Sequence, residues 1–287
     1  MAIQIGIELE MLNVTGNEVI EAWNEAGVDH CPTIYGYHQG PACTSGKWKM
    51  ERDSSLTGSS CTYNTKGCIE VISPILNGAV DIRAMNRFIT AVNRKGAKVD
   101  SSCGTHISVG LDNKARFNNM SNEAKFEVAN RIVRAYQHFS DIFDGMSPNV
   151  RSMRNNYYVG YPTTIDRNSA PSKMKAVNLK KFIQYGVIEF RQPGYTLDKK
   201  KIKLWLKIIN KLISMALNEN HVSHTMNLED MPRDITGFST YLGLSNMVET
   251  MLRDRVQQLH DNHQRGRDMR ARILGRTDDI SDYRGEQ

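Results

Sequence analysis

With 287 residues, 40% of them hydrophobic and 24% charged, the chain is long enough for one large or two small domains around a buried core, which excludes disorder, fibre and disulfide-stapled miniature folds. Its net charge of +6 is uneven: residues 1–80 hold nine acids against four bases, and residues 165–211 hold twelve bases against three acids. No run approaches the roughly 20 apolar residues of a membrane helix, and the N-terminus enters a strand pattern at once, so a cytoplasmic protein without a membrane partner is expected.

The first nine-residue pattern, Ile3 to Met11, alternates with period two. Ile3, Ile5, Ile7, Leu9 and Met11 share one strand face, and Glu8 and Glu10 share the other, about 7 Å apart. Gly16 to Ala26 predicts a short strand and helix. Residues 29–60 are rich in Gly, Pro, Ser and Thr and read as loops around a brief strand at Trp48 to Arg52. Long loops within compact domains serve as lids or binding segments, so this one is where substrate selection is expected. Cys68 to Ile72 repeats the alternation with Glu70 on the polar face, and Ser73-Pro74 closes that strand.

Asp81 to Lys95 has helical periodicity through Ile82, Met85, Ile89 and Val92, with Gly96 as its C-terminal stop. Thr105 to Val109 reads as a strand whose polar face carries His106 and Ser108. Asn122 to Phe143 predicts a helix with Ser121 as N-cap and Phe126, Ala129, Val133, Tyr136, Phe139 and Ile142 as its apolar side. The loop-like 146–172 segment has Arg151, Arg154 and Arg167 near Asn155, Asn156, Tyr157 and Tyr158, a set suited to clamping a phosphate or carboxylate and equally to ordinary surface pairing. Val187 to Arg191 places Glu189 and Arg191 on one strand face. Asp198 caps a helix packed through Ile202, Leu206, Ile209, Leu212, Ile213 and Ala216, and a further helix is expected from Thr240 to about Asn262. Residues 1–265 are expected to form a single domain, with 266–287 a charged, flexible tail.

This order predicts an α+β protein: a curved antiparallel or mixed sheet, helices on its apolar face, the site on the other. A half-solvated antiparallel sheet shows such alternation without any function. Carboxylates, however, are depleted in strand interiors, and three of these four strands carry one. Oxygen ligands with one imidazole and no thiolate suit magnesium or manganese better than zinc. Carboxylates this close repel one another and hold protons unless a cation lies between them. The five cysteines include no Cys-x-x-Cys pair and are expected to be reduced; His30, Cys31, His38 and Cys43 match no common zinc spacing. The basic segment could hold phosphates or nucleic acid, but its lysines follow a helical pattern with few aromatic or arginine anchors, which argues for a solvated helix face and against a nucleic-acid partner. No Gly-x-Gly-x-x-Gly or phosphate-loop motif follows a strand.

Five motifs in series carry a resemblance: Gly6-Ile7-Glu8-Leu9-Glu10; Trp48 to Asp53-Ser54; Ile69-Glu70-Val71-Ile72-Ser73-Pro74-Ile75-Leu76; Cys103-Gly104-Thr105-His106-Ile107-Ser108-Val109; and Asn178-Leu179 followed by Ile188-Glu189-Phe190-Arg191. In order and rough spacing, over about residues 3–215, the chain resembles the amidoligase family, relatives of the carboxylate-amine ligases that include glutamine synthetase and glutamate-cysteine ligase. The resemblance implies a catalytic domain like theirs, its curved sheet forming a funnel, with ATP and several magnesium (or manganese) ions on the concave face. It implies that Glu8, His106 and Glu189 hold the ion nearest the nucleotide phosphates, that Glu10 and Glu70 hold the ion nearest the amino-acid substrate, and that Arg191 steadies the transferred phosphoryl group. Asp53 matches an acidic position on the substrate side. Glu70, Asp53 and Arg191 are thus the expected catalytic residues, and His106 and Arg191, with Arg151 and Arg154, the expected nucleotide contacts. The 29–60 loop departs from the family's minimal pattern.

The chemistry fits independently, because a carboxylate is a poor acyl donor until a phosphoryl group from ATP activates it for attack by an amine. Carboxylate-held metal ions neutralise charge during that transfer, an arginine stabilises the equatorial oxygens, and a rigid sheet supplies the positioning. An ATP-dependent ligase joining a small-molecule or peptide carboxylate to an amine is therefore the expected activity. A divalent-metal hydrolase or nuclease and a non-catalytic binding protein on a ligase scaffold are the alternatives.

Overall fold

The computed structural model describes residues 4–56, 58–111, 119–147, 176–218, 221, 226–258 and 273–274. Ile3, Arg151, Arg154, Arg167 and most of the 266–287 tail lie outside the described residues. In chain order the elements are β1 (Gln4–Val14), α1 (Gly16–Ala26), β2 (His30–Tyr35), β3 (Trp48–Glu51), β4 (Gly67–Ile72), β5 (Leu76–Asn77), α2 (Gly78–Arg94), β6 (Thr105–Gly110), α3 (Asn122–His138), α4 (Ser140–Met146), β7 (Val177–Asn178), α5 (Phe182–Tyr185), β8 (Val187–Phe190), α6 (Lys199–Leu217), α7 (Ile235–Leu242) and α8 (Asn246–Gln258).

The strands form one open, mixed sheet in the order β2-β3-β4-β1-β6-β8-β7, with β5 paired to the start of β1. β2 and β3 run parallel, and the other pairings between these strands are antiparallel. Period-two alternation sends Ile7, Leu9 and Met11 of β1, Trp48 and Met50 of β3, Ile69 and Val71 of β4, Ile107 and Val109 of β6 and Ile188 and Phe190 of β8 to one face, all of them buried. Two helices cover it: Phe88 of α2 packs on Trp48 at 5.2 Å and on Trp23 of α1 at 6.0 Å between ring centroids. α1 forms as one full helix with no strand before it, because Thr15 and Glu18 build a reciprocal capping box and Gly27 closes the far end at φ 66°.

β2 is a strand where the sequence read as loop. Pro32 within it obscures the signal; proline is accepted because β2 lies at the sheet edge, where a missing donor breaks no interior ladder.

The chain divides into two compact units, Met1–Ser121 with Val177–Ile202, and Asn122–Ala176 with Lys203–Gln287. The first contains the whole sheet. The second is helical, around Tyr136 stacked on Phe143 at 3.7 Å and Phe139 against Phe238 at 5.0 Å. Here the single helix expected over 122–143 breaks at Phe139, which leaves helical geometry at φ −96°, ψ 25°. The helix expected from Thr240 is likewise two: α7 starts earlier, capped by Asp234, and ends at Gly243 in the left-handed region, before α8 begins. Lys199, Lys200, Lys203 and Lys211 of α6 are exposed, while Ile202, Ile209, Leu212, Ile213 and Ala216 are buried. Among the described residues no helix is long and apolar enough to cross a membrane.

Candidate metal and nucleotide site

Strand register arranges the polar face of the sheet in three rows. In the first, Glu51 of β3 stands opposite Glu70 of β4, which stands opposite Glu10 of β1. In the second, Lys49, Ile72, Glu8 and His106 follow one another across β3, β4, β1 and β6. In the third, Gly6, Ser108, Glu189 and Asn178 follow across β1, β6, β8 and β7. Rows two residues apart along a strand are separated by about 7 Å, so side chains of neighbouring rows can converge on a point between them.

Two groups of ligand-bearing atoms do converge: Glu8, Glu70 and His106 form one, and Glu10, Asp53 and Glu70 the other, with all donor atoms in each group within 4.8 Å of one another. Glu70 belongs to both. Opposite ligands on an octahedral magnesium ion stand about 4.2 Å apart, so either group needs little contraction to hold one. The oxygen-rich, thiolate-free donor set is that of a hard divalent ion. Among the described residues, His30, Cys31 and His38 do not assemble as a metal-ligand group, and Cys31 is a buried free thiol; the Cys43 side chain of the expected set lies outside the described residues.

Each ligand is oriented by its neighbours. His106 Nδ1 lies 3.0 Å from Glu8 Oε2 and 3.7 Å from Glu189 Oε1. The backbone N–H of Gly104 donates to Glu10 Oε2. Glu189 lies outside both three-residue groups: Arg191 Nη1 donates to its Oε1 at 2.6 Å and Asn178 Nδ2 to its Oε2 at 2.5 Å. The Nε of Arg191 is buried and has no hydrogen-bond partner among the described residues, although the side chain as a whole is partly exposed. Asp53 follows β3 and accepts from the N–H of Ser55 at 2.7 Å, a turn that fixes its carboxylate beside Glu70 and Glu10.

Glu51 is the residue the motif reading passed over. It is completely buried, yet belongs to neither converging group. Its carboxylate accepts from Lys49 Nζ at 2.5 Å, from the His38 N–H at 2.8 Å and from the Gly40 N–H at 3.3 Å. The alternation Trp48-Lys49-Met50-Glu51 contains the signal, since it puts Lys49 and Glu51 on the same face as Glu70.

Packing this many carboxylates together has a measurable cost. At an effective dielectric constant of about 20, two unit charges about 4 Å apart repel by about 4 kcal/mol, a large part of a typical net stability of about 5–15 kcal/mol. The response is visible in Glu70, whose pKa is raised well above the ordinary 4.5, first by burial and then by Glu8, Glu10, Asp53 and Glu51. Glu8 is raised as well, by burial, against the opposing pull of Arg191, Lys181 and His38.

A folded-state pKa above the unfolded value means that the native protein binds more protons than the unfolded chain once the pH passes about 4.5. Without a divalent cation, this contribution makes stability fall as pH rises above that point, until the raised pKa values are passed. Calorimetry in chelator should therefore give a lower Tm at pH 8 than at pH 5.5, with saturating magnesium closing the gap and Glu70→Gln shrinking it. A gap of the same size in all three samples would remove carboxylate repulsion as its cause.

Comparison with known proteins adds three findings. A family model described as "Putative amidoligase enzyme" matches residues 2–158, more than half of the chain. No curated protein matches. Among solved structures, a bifunctional glutathione synthetase from Pasteurella multocida is similar at 10% identity and a TM-score of 0.44, over 95% of this chain and 49% of that one, so the chain spans about half of that protein's length.

Proposed function

Because the chain belongs to the amidoligase family, we propose that it is an ATP- and magnesium-dependent carboxylate-amine ligase acting in the cytoplasm. The observation that carries the reading is the pair of ligand groups on one sheet face sharing Glu70. We assign the Glu8 and His106 end, with Glu189 and Arg191 beside it, to the nucleotide phosphates, and the Glu10, Asp53 and Glu70 end to the carboxylate substrate. The sheet and the two helices on its apolar face form a catalytic domain of the glutamine synthetase and glutamate-cysteine ligase kind. The four buried free thiols among the described residues suit a reducing compartment.

In this reading the γ-phosphoryl group leaves the β–γ bridging oxygen of ATP for an oxygen of the carboxylate, giving ADP and an acyl phosphate. An amine then attacks the acyl carbon, loses a proton, and expels phosphate to leave an amide. Magnesium, when bound, would neutralise charge on the polyphosphate and the substrate carboxylate. The chain's own residues do the positioning. Asn178 and Arg191 grip the two oxygens of Glu189 and fix its orientation, and the partly exposed Arg191 side chain keeps donors beyond that bond for the transferred group's equatorial oxygens. Ligands mounted on neighbouring strands of one sheet have little freedom left to lose on binding. Small-molecule or peptide carboxylates and amines are the partners expected.

Isothermal titration of ATP, with and without magnesium, tests this directly. Wild type should bind only with the metal, and Glu8→Gln should lose about tenfold or more in affinity. ADP release that requires both a carboxylate and an amine would then separate a ligase from an ATPase. Folded wild type that fails to bind ATP in magnesium would sink the reading.

A further inference from the structure

The turn that follows β2 is tied to the site through its backbone, while its side chains take no part in either ligand group. Gln39 N–H donates to the Gly36 carbonyl at 3.0 Å, closing a four-residue turn with Tyr37 and His38 at its centre. His38 takes φ 57°, a left-handed conformation uncommon for a residue with a side chain; such outliers persist where the surroundings enforce them, often beside ligands.

What enforces it is Glu51. This fully buried carboxylate receives the N–H groups of His38 and Gly40 together with Lys49 Nζ, tying the turn to the end of the first carboxylate row. Gly40 is needed for the approach, since a Cβ there would meet Glu51 Oε1 at 2.7 Å and Lys49 Cδ at 2.8 Å. Tyr35 pairs in parallel with Glu51, and Glu51 antiparallel with Glu70, so the turn that follows Tyr35 sits at the end of the row that contains Glu70. On it the Tyr37 and His38 rings pack 3.8 Å apart, and Tyr37 remains 51% exposed. Burial and the charges of Asp53 and Glu70 raise the pKa of the Tyr37 phenol, so the ring lies within electrostatic reach of that ligand group.

We propose that this Glu51-anchored turn is the wall that selects the carboxylate substrate, and that the Tyr37–His38 ring pair meets the organic body of an amino-acid or peptide carboxylate. The inference rests on the ligase reading, and on its assignment of the Glu10, Asp53 and Glu70 end to that substrate. Apart from Ile72, which is buried, the three rows of this face consist of Gly6 and charged or small polar groups, which hold a carboxyl group but do not distinguish one carbon skeleton from another. An exposed aromatic ring held by a buried carboxylate supplies what they lack: a flat apolar surface in a fixed place. A bare carboxylate such as formate or acetate would gain nothing from it.

Thermal-shift titrations test this with two probes: the non-hydrolysable analogue Mg·AMP-PNP, and, in its presence, the twenty L-amino acids and a set of dipeptides. Wild type and Tyr37→Ala should respond alike to Mg·AMP-PNP. At least one carboxylate should raise the wild-type Tm further, with an affinity about tenfold weaker in Tyr37→Ala and close to wild type in Tyr37→Phe, which keeps the ring. Once a substrate is in hand, Tyr37→Ala should raise its KM and leave the KM for ATP unchanged. A nucleotide response in wild type with no carboxylate response, or with one that Tyr37→Ala preserves, would overturn the wall alone. No response of wild type to Mg·AMP-PNP would take down the ligase reading and the wall with it.

Discussion

Glu70→Gln is expected to lower magnesium-dependent turnover by about a thousandfold or more while leaving the metal-free protein at least as stable as wild type. Removing a residue that merely supports a metal ligand costs about 10–100-fold, and Glu70 is a donor in both converging groups, so its loss damages two sites at once. Its carboxylate is also the one most opposed by its surroundings, with burial and four neighbouring acids pushing its pKa up. A neutral isostere relieves that opposition when no cation is present, so the Tm in chelator at pH 8 should hold or rise. With magnesium the order reverses. At a concentration a hundredfold above Kd, the metal stabilises wild type by about 2.7 kcal/mol, and the variant should gain only a small part of that. Glu10→Gln touches one group and should lose less activity. Undiminished magnesium stabilisation in Glu70→Gln would mean that the two groups are not where the metal binds.

The legible part of this fold was the strands that carry chemistry. β1, β4, β6 and β8 alternate closely enough, with Ile72 and Val187 as exceptions, that the faces of Glu8, Glu10, Glu70, His106 and Glu189 could be read from period two alone. Which residues converge could not be read that way, because convergence depends on register and strand order. The resemblance groups Glu189 with Glu8 and His106; register sets Glu189 one row away, opposite Ser108, with Arg191 and Asn178 on its two oxygens and His106 Nδ1 3.7 Å from one of them. Glu70, two strands from His106, reaches both groups.

The 29–60 segment was the least legible. Its Gly and Pro content describes turns correctly, but Pro32 hides an edge strand, and nothing local marks Glu51 as a buried anchor. Its donors are two backbone N–H groups eleven and thirteen residues earlier in the chain and one lysine, and backbone donors leave no trace in composition. The helix breaks at Phe139 and Gly243 were missed for related reasons. Hydrophobic periodicity continues smoothly across the first, and only the left-handed glycine marks the second.

Arg191→Lys is the substitution that separates charge from geometry at the phosphoryl end. Arg191 acts on the site in two ways that alanine would remove together. Its positive charge pulls the pKa of Glu8 down against the larger effect of burial, and so favours the ionised form of a metal ligand. Its planar fork, held by the 2.6 Å bond to Glu189, presents the remaining donors in a fixed plane. Lysine keeps the first property and loses the second. Magnesium-dependent ATP binding should therefore stay within about threefold of wild type, because a positive charge remains beside Glu8 and the net charge is unchanged. Turnover should fall by about a thousandfold, the lower end of what an arginine aimed at a transferring phosphoryl group contributes. Arg191→Ala should lose turnover to a similar extent and also weaken metal binding, most at low pH, where Glu8 without its cationic neighbour holds its proton. Titration calorimetry and single-turnover ADP release on the two variants would read the two properties separately. If lysine supported near wild-type turnover, Arg191 would contribute only charge, and the group that steadies the phosphoryl oxygens would have to be sought elsewhere on the same face.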